Sequence, residues 1–208
     1  MPSGATFLRF GAAALVLLLI PGPAVLYIVA RSMAQGRRAG LVSVMGTCTG
    51  AMVHVLAATL GLSALLVASA AAFAAIKWLG AAYLIYLGLR TIFSTPAIAA
   101  PDSVAPRPVR RLYLDGVVVT VLNPKTGLFF LAFLPQFIDR ARGSIAGQSL
   151  ALGLTFVGLA IFTDGAYALL AGSAHRLVSP GKRAKTSLRY ASGVTYVGLG
   201  IGAALTRK

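Results

Sequence analysis

The sequence predicts an all-α integral membrane protein with six transmembrane helices, arranged as two inverted three-helix repeats in which helices 1 and 4 are broken. Three observations lead there. The 208 residues are 58% hydrophobic and only 11% charged, with a mean hydropathy of +0.84, whereas a soluble domain carries about 25% charged residues. Six apolar runs are long enough to cross a hydrocarbon core, which takes about 20 residues. The first and fourth runs are interrupted at matching depths, by Pro21-Gly22-Pro23 within Phe7–Ala30 and by Asn123-Pro124-Lys125 within Leu112–Phe137.

In chain order, the first run has the outline of a signal peptide, with Arg9 preceding an apolar stretch that ends near Ile20. No small-x-small cleavage signal follows and the hydrophobicity resumes at Ala24, so it reads as a retained helix. The second run, Leu41–Ala70, is long enough to include part of its own connection, and its Gly46-x-x-x-Gly50 suits close helix packing. The third is Phe73–Phe93. Ser94–Arg111, with Pro96, Pro101, Pro106 and Pro108, reads as a flexible linker. It divides the chain into a first repeat (1–93), the linker (94–111) and a second repeat (112–208). The second repeat holds Leu112–Phe137, Ile145–Leu170 and Leu188–Thr206, the last carrying Gly198, Gly200 and Gly202. Such glycine-rich faces permit a homodimer.

The two halves echo each other. Superposing Pro23 on Pro124 aligns the breakers, and Lys77-Trp78 before Gly80-x-x-Tyr83 returns as Arg189-Tyr190 before Gly193-x-x-Tyr196. With three helices per half, the second half enters the membrane from the opposite side, which gives an inverted repeat.

A net charge of +15 is the footprint of a nucleic-acid binder, but its placement points to the bilayer instead. Twelve of the 19 Lys and Arg residues fall in the first, third and fifth connections, among them Arg31, Arg37, Arg38, Arg107, Arg110 and Arg111. Six, including Arg140 and Arg142, fall on the opposite side. The positive-inside rule puts the first group in the cytoplasm and both termini outside.

The breakers carry the chemistry. A proline in a helix interior removes a hydrogen bond and clashes with the preceding turn, at about 3 kcal/mol or more. In lipid such breaks survive only where the freed groups are buried or line a cavity. Corresponding interrupted segments in two halves of one chain point to a secondary transporter's binding site. The half-helix starting near Pro23 turns its positive end towards that site and suits a carboxylate, unless the break is a packing kink. Lys125 sits inside an apolar run, where a lysine costs at least about 2.5 kcal/mol. Two readings stand: it binds a carboxylate, or it snorkels to the interface. Asn123 beside it offers both a donor and an acceptor.

Asp164, in Phe162-Thr163-Asp164-Gly165, is one of four acidic residues in the chain and lies deep in the fifth run. A buried carboxylate must find a partner or a proton. It therefore pairs with Lys125, binds a substrate amino group, or carries a coupling proton. His54 is a minor candidate for proton relay, against a packing role.

Other chemistry lacks parts. His54, His175 and the single Cys48 do not make a zinc or di-iron site, and scarce Asp, Glu, His and Cys also weigh against export of a metal cation. No nucleophile elbow or phosphate-binding Gly-x-x-x-x-Gly-Lys occurs, so the sequence predicts no enzyme and no cofactor.

The chain also resembles the LysE/RhtB family of bacterial amino-acid exporters over nearly its whole length. The resemblance rests on Pro21-Gly22-Pro23, Gly36 and Gly40, the segment from Lys77 to Gly88, Asn123-Pro124-Lys125 with Phe129-Phe130, and Phe133-Leu-Pro135-Gln136-Phe137. It implies export of small amino acids or close derivatives across the bacterial inner membrane, driven by the proton gradient or the membrane potential. One departure is that Gly165-Ala166-Tyr167 follows Asp164, where many members carry an aromatic pair.

The expected site therefore comprises Pro21, Gly22, Pro23, Asn123, Pro124, Lys125 and Asp164, with Asp164 and His54 as candidates for proton coupling. The competing reading is a membrane scaffold that transports nothing, in which both breaks are kinks.

Overall fold

The computed structural model describes residues 1–68 and 106–173, together with positions 78, 82, 85, 86, 89, 93, 197 and 201. The third and sixth runs, the repeated Gly-x-x-Tyr echo, the glycines from Gly198 to Gly202, the cations of the fifth connection and most of the linker therefore lie outside the described residues. Among those that are described, all regular structure is helical.

Helix α1 (Gly4–Leu19) starts at Ser3, whose Oγ accepts the Thr6 amide at 3.2 Å, a side-chain cap for an otherwise orphaned donor. At about 1.5 Å per residue its 16 residues rise roughly 24 Å, short of the ~30 Å hydrocarbon core. Helix α2 (Pro23–Ala68) follows beyond the Pro-Gly-Pro break.

The first basic connection is almost entirely helical. Gly36 adopts φ 82°, ψ −179° inside α2, backbone that only glycine enters freely. The chain doubles back there. Residues 32 and 40 would lie about 12 Å apart along a straight helix, yet a Cβ on Gly40 would sit 2.0 Å from Ser32 Oγ. The expected loop thus shrinks to one glycine between two helical arms, 23–35 and 37–68. The first arm follows the Pro-Gly-Pro break, and the second runs on from Gly36.

The second arm of α2 lies against helix α3 (Val109–Val121) with almost no side chain between them. A Cβ on Gly46 would meet Tyr113 O at 2.2 Å, one on Gly50 would meet Val117 O at 2.7 Å, and one on Gly116 would meet Ser43 O at 2.8 Å. This is the close backbone approach expected of small-x-x-x-small spacing. The Gly46/Gly50 face is occupied within the chain and is not available to a second copy.

Helix α3 takes in the last residues of the linker and ends at the second break. Helix α4 (Pro124–Leu128) restarts there, and a π-helical turn (Phe129–Phe133) and a 3-10 turn (Leu134–Phe137) follow. The two pieces of this span are bent by 46°. A further 3-10 turn (Arg140–Arg142) leads into helix α5 (Ile145–Ser173), which at 29 residues is long and apolar enough to cross a membrane.

Hydrogen bonds define the two ends of the bundle. At one end the Met1 ammonium donates to Arg142 O at 2.7 Å, and Gln148 Nε2 donates to Asp139 O at 2.7 Å. At the other, Gln35 and Arg107 exchange two bonds of 2.9 Å, and the Arg37 guanidinium donates to Ser173 Oγ. Arg107 also pairs with Asp115. This sorting puts Arg37 and Arg107 together and Arg142 at the opposite end.

The core between the ends is aromatic. Phe10 of α1, Phe129, Phe133 and Phe137 of the π and 3-10 turns, and Phe156 of α5 pack with centroids 5.1–5.6 Å apart, in tilted, edge-on and, for Phe129 with Phe133, stacked contacts. This cluster locks the irregular segment after the second break between α1 and α5.

Candidate functional site

The two breaks meet. Helix α1 ends at Leu19, and Ile20 turns extended (φ −91°, ψ 119°), which leaves the carbonyls of the last turn without helical partners. Two of them are satisfied by residues more than a hundred positions away. Leu19 O accepts from Tyr167 Oη at 2.7 Å, and Ile20 O accepts from Lys125 Nζ at 2.6 Å. A cation at a helix C-terminus is the favourable sign for the helix dipole. Lys125 is 6% exposed, so it is a buried residue and does not snorkel to the interface.

The second break is closed locally. Asn123 is the N-cap of α4, its Oδ1 accepting the Lys125 amide at 3.1 Å, and Pro124 occupies the first helical position, where its missing N–H costs nothing. Its acceptor is thus committed to the backbone.

Between the breaks lies a cavity of about 40 Å³ lined by Gly22, Asn123, Lys125 and Asp164, with Leu17, Val25, Thr47, Cys48, Thr120 and Phe156. That volume holds one to a few waters, since a water needs about 10–15 Å³ measured this way. Asp164 and Thr120 are 5% and 3% exposed, and Asp164 Oδ1 and Thr120 Oγ1 have no hydrogen-bond partner. Lys125 and Asp164 thus place a basic and an acidic side chain, opposite charges when both are ionised, on the walls of one buried cavity. In so weakly polar a setting such charges act strongly on whatever enters.

The cavity wall therefore combines the Lys125 ammonium group, the Asp164 carboxyl and the Thr120 hydroxyl with residues at the start of α2. That pattern complements a small zwitterion. Among the described residues no group of three His, Cys, Asp or Glu is placed to hold a metal ion.

Four of the expected residues, Gly22, Asn123, Lys125 and Asp164, thus come together. Pro21, Pro23 and Pro124 shape the breaks without lining the cavity. His54 lies outside it: Nε2 donates to Thr120 O at 3.0 Å, and the ring stacks on Phe130 at 6.3 Å. Sequence reasoning missed Thr120, Cys48 and Tyr167. Tyr167 had a signal, because it stands one helical turn after Asp164 at the position where the chain departs from the resemblance. Thr120 had none beyond being a polar residue near the breaker.

Broken membrane helices closing on a buried cavity of mixed charge define a class, that of polytopic membrane translocators. The chain belongs to the LysE-type translocator family, whose profile matches residues 15–207. It is 33% identical to the homoserine/homoserine lactone efflux protein of Salmonella typhimurium, over 75% of each chain. It is 32% identical to the membrane protein YrhP of Bacillus subtilis, over 71% of this chain and 74% of that one. It is also 30% identical to the leucine efflux protein of Salmonella typhimurium, over 61% of this chain and 60% of that one. No solved structure matches it. The protein is thus a membrane protein of a family of transporters, which are not enzymes.

Proposed function

We propose that this protein exports small amino acids or close derivatives across the bacterial inner membrane, by alternating access around the cavity where the two breaks meet. The observation that carries the reading is the convergence of Lys125, Asp164, Gly22 and Asn123, remote in sequence, on one buried cavity. A chain that merely kinked at its prolines would have no reason to bury two opposite charges there, at several kcal/mol per ion. Two relatives are named for efflux of homoserine or its lactone and of leucine, which supports a small, uncharged side chain as cargo.

In this reading the α2 N-terminus and Lys125 take the substrate carboxylate. Asp164 supplies the opposing charge and couples export to the proton gradient, with His54 as a second candidate relay. The cavity is too small for a whole amino acid, so it widens as the halves rock apart. The connections rich in Arg and Lys face the cytoplasm and the termini face outside. The two halves form the inverted repeat 1–93 and 112–208, joined by the linker 94–111.

The test is efflux from cells preloaded with mixed dipeptides, with every amino acid measured outside. Faster loss of one or a few amino acids, abolished by an uncoupler, is the expected result. Unchanged loss of all of them, with the protein present in the membrane, rules the reading out.

A further inference from the structure

We infer that Thr120 is a substrate-binding residue, and that its hydroxyl oxygen and Asp164 Oδ1 together seat the ammonium group of the exported amino acid. The inference rests on the reading of the cavity as an amino-acid site, and it adds a residue and names the group that the acidic wall holds.

The first support is a contrast among threonines. In membrane helices a threonine hydroxyl ordinarily donates back to a carbonyl of the preceding turn. Thr47, Thr49, Thr59, Thr155 and Thr163 all do so, at 2.8–3.1 Å. Thr120 does not, although it is 3% exposed. A buried hydroxyl left unpaired is unfavourable, so an unpaired one on a cavity wall marks a place where something else binds.

The second support is what shares that wall. Asp164 Oδ1 is the other cavity-lining atom in this condition. A hydroxyl oxygen and a carboxyl oxygen that both lack partners can each accept a hydrogen bond, and a donor-rich cation satisfies both. A primary ammonium has three N–H donors and no acceptor.

Thr120 is also held rigidly. Its carbonyl accepts from His54 Nε2 at 3.0 Å and from the Asn123 amide at 3.0 Å. On its other side, a Cβ on Gly50 would come within 2.7 Å of Thr120 Cβ. The side chain is thus pressed against α2, with its backbone tied at the second break. Such support keeps a binding group within a fraction of an ångström of its working position.

The experiment uses the full-length protein in proteoliposomes loaded with the proteinogenic amino acids and homoserine, at matched protein amounts. The wild type identifies the exported amino acid, and its half-saturating concentration is then measured in Thr120→Val and Thr120→Ser. Val keeps the shape and removes the oxygen, whereas Ser keeps the oxygen. Loss of a hydrogen bond to a charged group predicts a rise of about tenfold or more for Val, with the maximal rate falling by less, and a return to within about twofold of wild type for Ser. Thr120→Ala, which only removes atoms, replaces Val if the latter does not reach the membrane. A half-saturating concentration for Val or Ala within about twofold of wild type overturns the inference, and so does an equal rise in Val and Ser, which would mark a packing role. Export of no amino acid by the wild type overturns the underlying reading instead.

Discussion

The two breaks solve one problem in opposite ways. At the second, everything needed lies within three residues: Asn123 caps the new helix, Pro124 opens it, and the Lys125 amide closes the cap. At the first, Pro-Gly-Pro has no side chain able to cap anything, and the carbonyls of Leu19 and Ile20 are satisfied by Tyr167 and Lys125. One break is self-contained, and the other is held from a distance by the second half of the chain. The second break is therefore a fixed part. In the proposed mechanism the first is an adjustable one, whose distant partners are exchanged as the halves move.

Substitutions can sharpen or break that contrast. The largest effect is expected at Asp164, the one acid among the described residues that line the cavity. Asp164→Asn should reduce gradient-driven export to background at wild-type abundance, and unchanged flux would remove it from the mechanism. Lys125→Gln comes next, because it removes both the cation of the cavity and the ligand of Ile20 O. Losing a buried charge-assisted bond of this kind costs about 1.5–3 kcal/mol, so export should fall by at least about tenfold, with a lower melting temperature in detergent.

Tyr167→Phe removes only the bond to Leu19 O. A neutral hydrogen bond contributes about 1 kcal/mol, and the expected outcome is a loss of export of roughly fivefold, visible as a rate change in the same flux assay. Asn123→Ala is the mildest. It should lower stability by about 1 kcal/mol through the lost cap, or roughly 2–4 °C in melting temperature, and Asn123→Ser, itself a competent cap, should recover most of it. If Tyr167→Phe were silent while Asn123→Ala abolished export, the assignment of fixed and adjustable breaks would be reversed.

The breaks were legible in the sequence because proline and glycine act locally: what they do to a helix depends on a few neighbouring bonds. Gly46-x-x-x-Gly50 was legible for the same reason, since absence of a side chain is itself the signal for close approach. Lys125 and Asp164 stood out because ions are rare in apolar runs. The partners were not legible. Leu19 and Ile20 take part through backbone carbonyls, which every residue has, and Tyr167 and Thr120 matter only because tertiary packing turns them towards those atoms. Leu17 and Phe156 look like any other apolar residue of a membrane helix. The first connection, read as a loop, is a helical reversal at Gly36, because a single residue at φ 82° does the work of a loop.

The central claim, that the exported amino acid occupies the cavity between the breaks, can be tested at Cys48. It lines that cavity and is the only cysteine in the chain, so alkylation by a small uncharged maleimide reports on the site without mutation. In the purified protein the account predicts slow labelling that is slowed several-fold further by the exported amino acid at saturating concentration and left unchanged by amino acids that are not exported. Labelling at one rate whether or not the exported amino acid is present would contradict it.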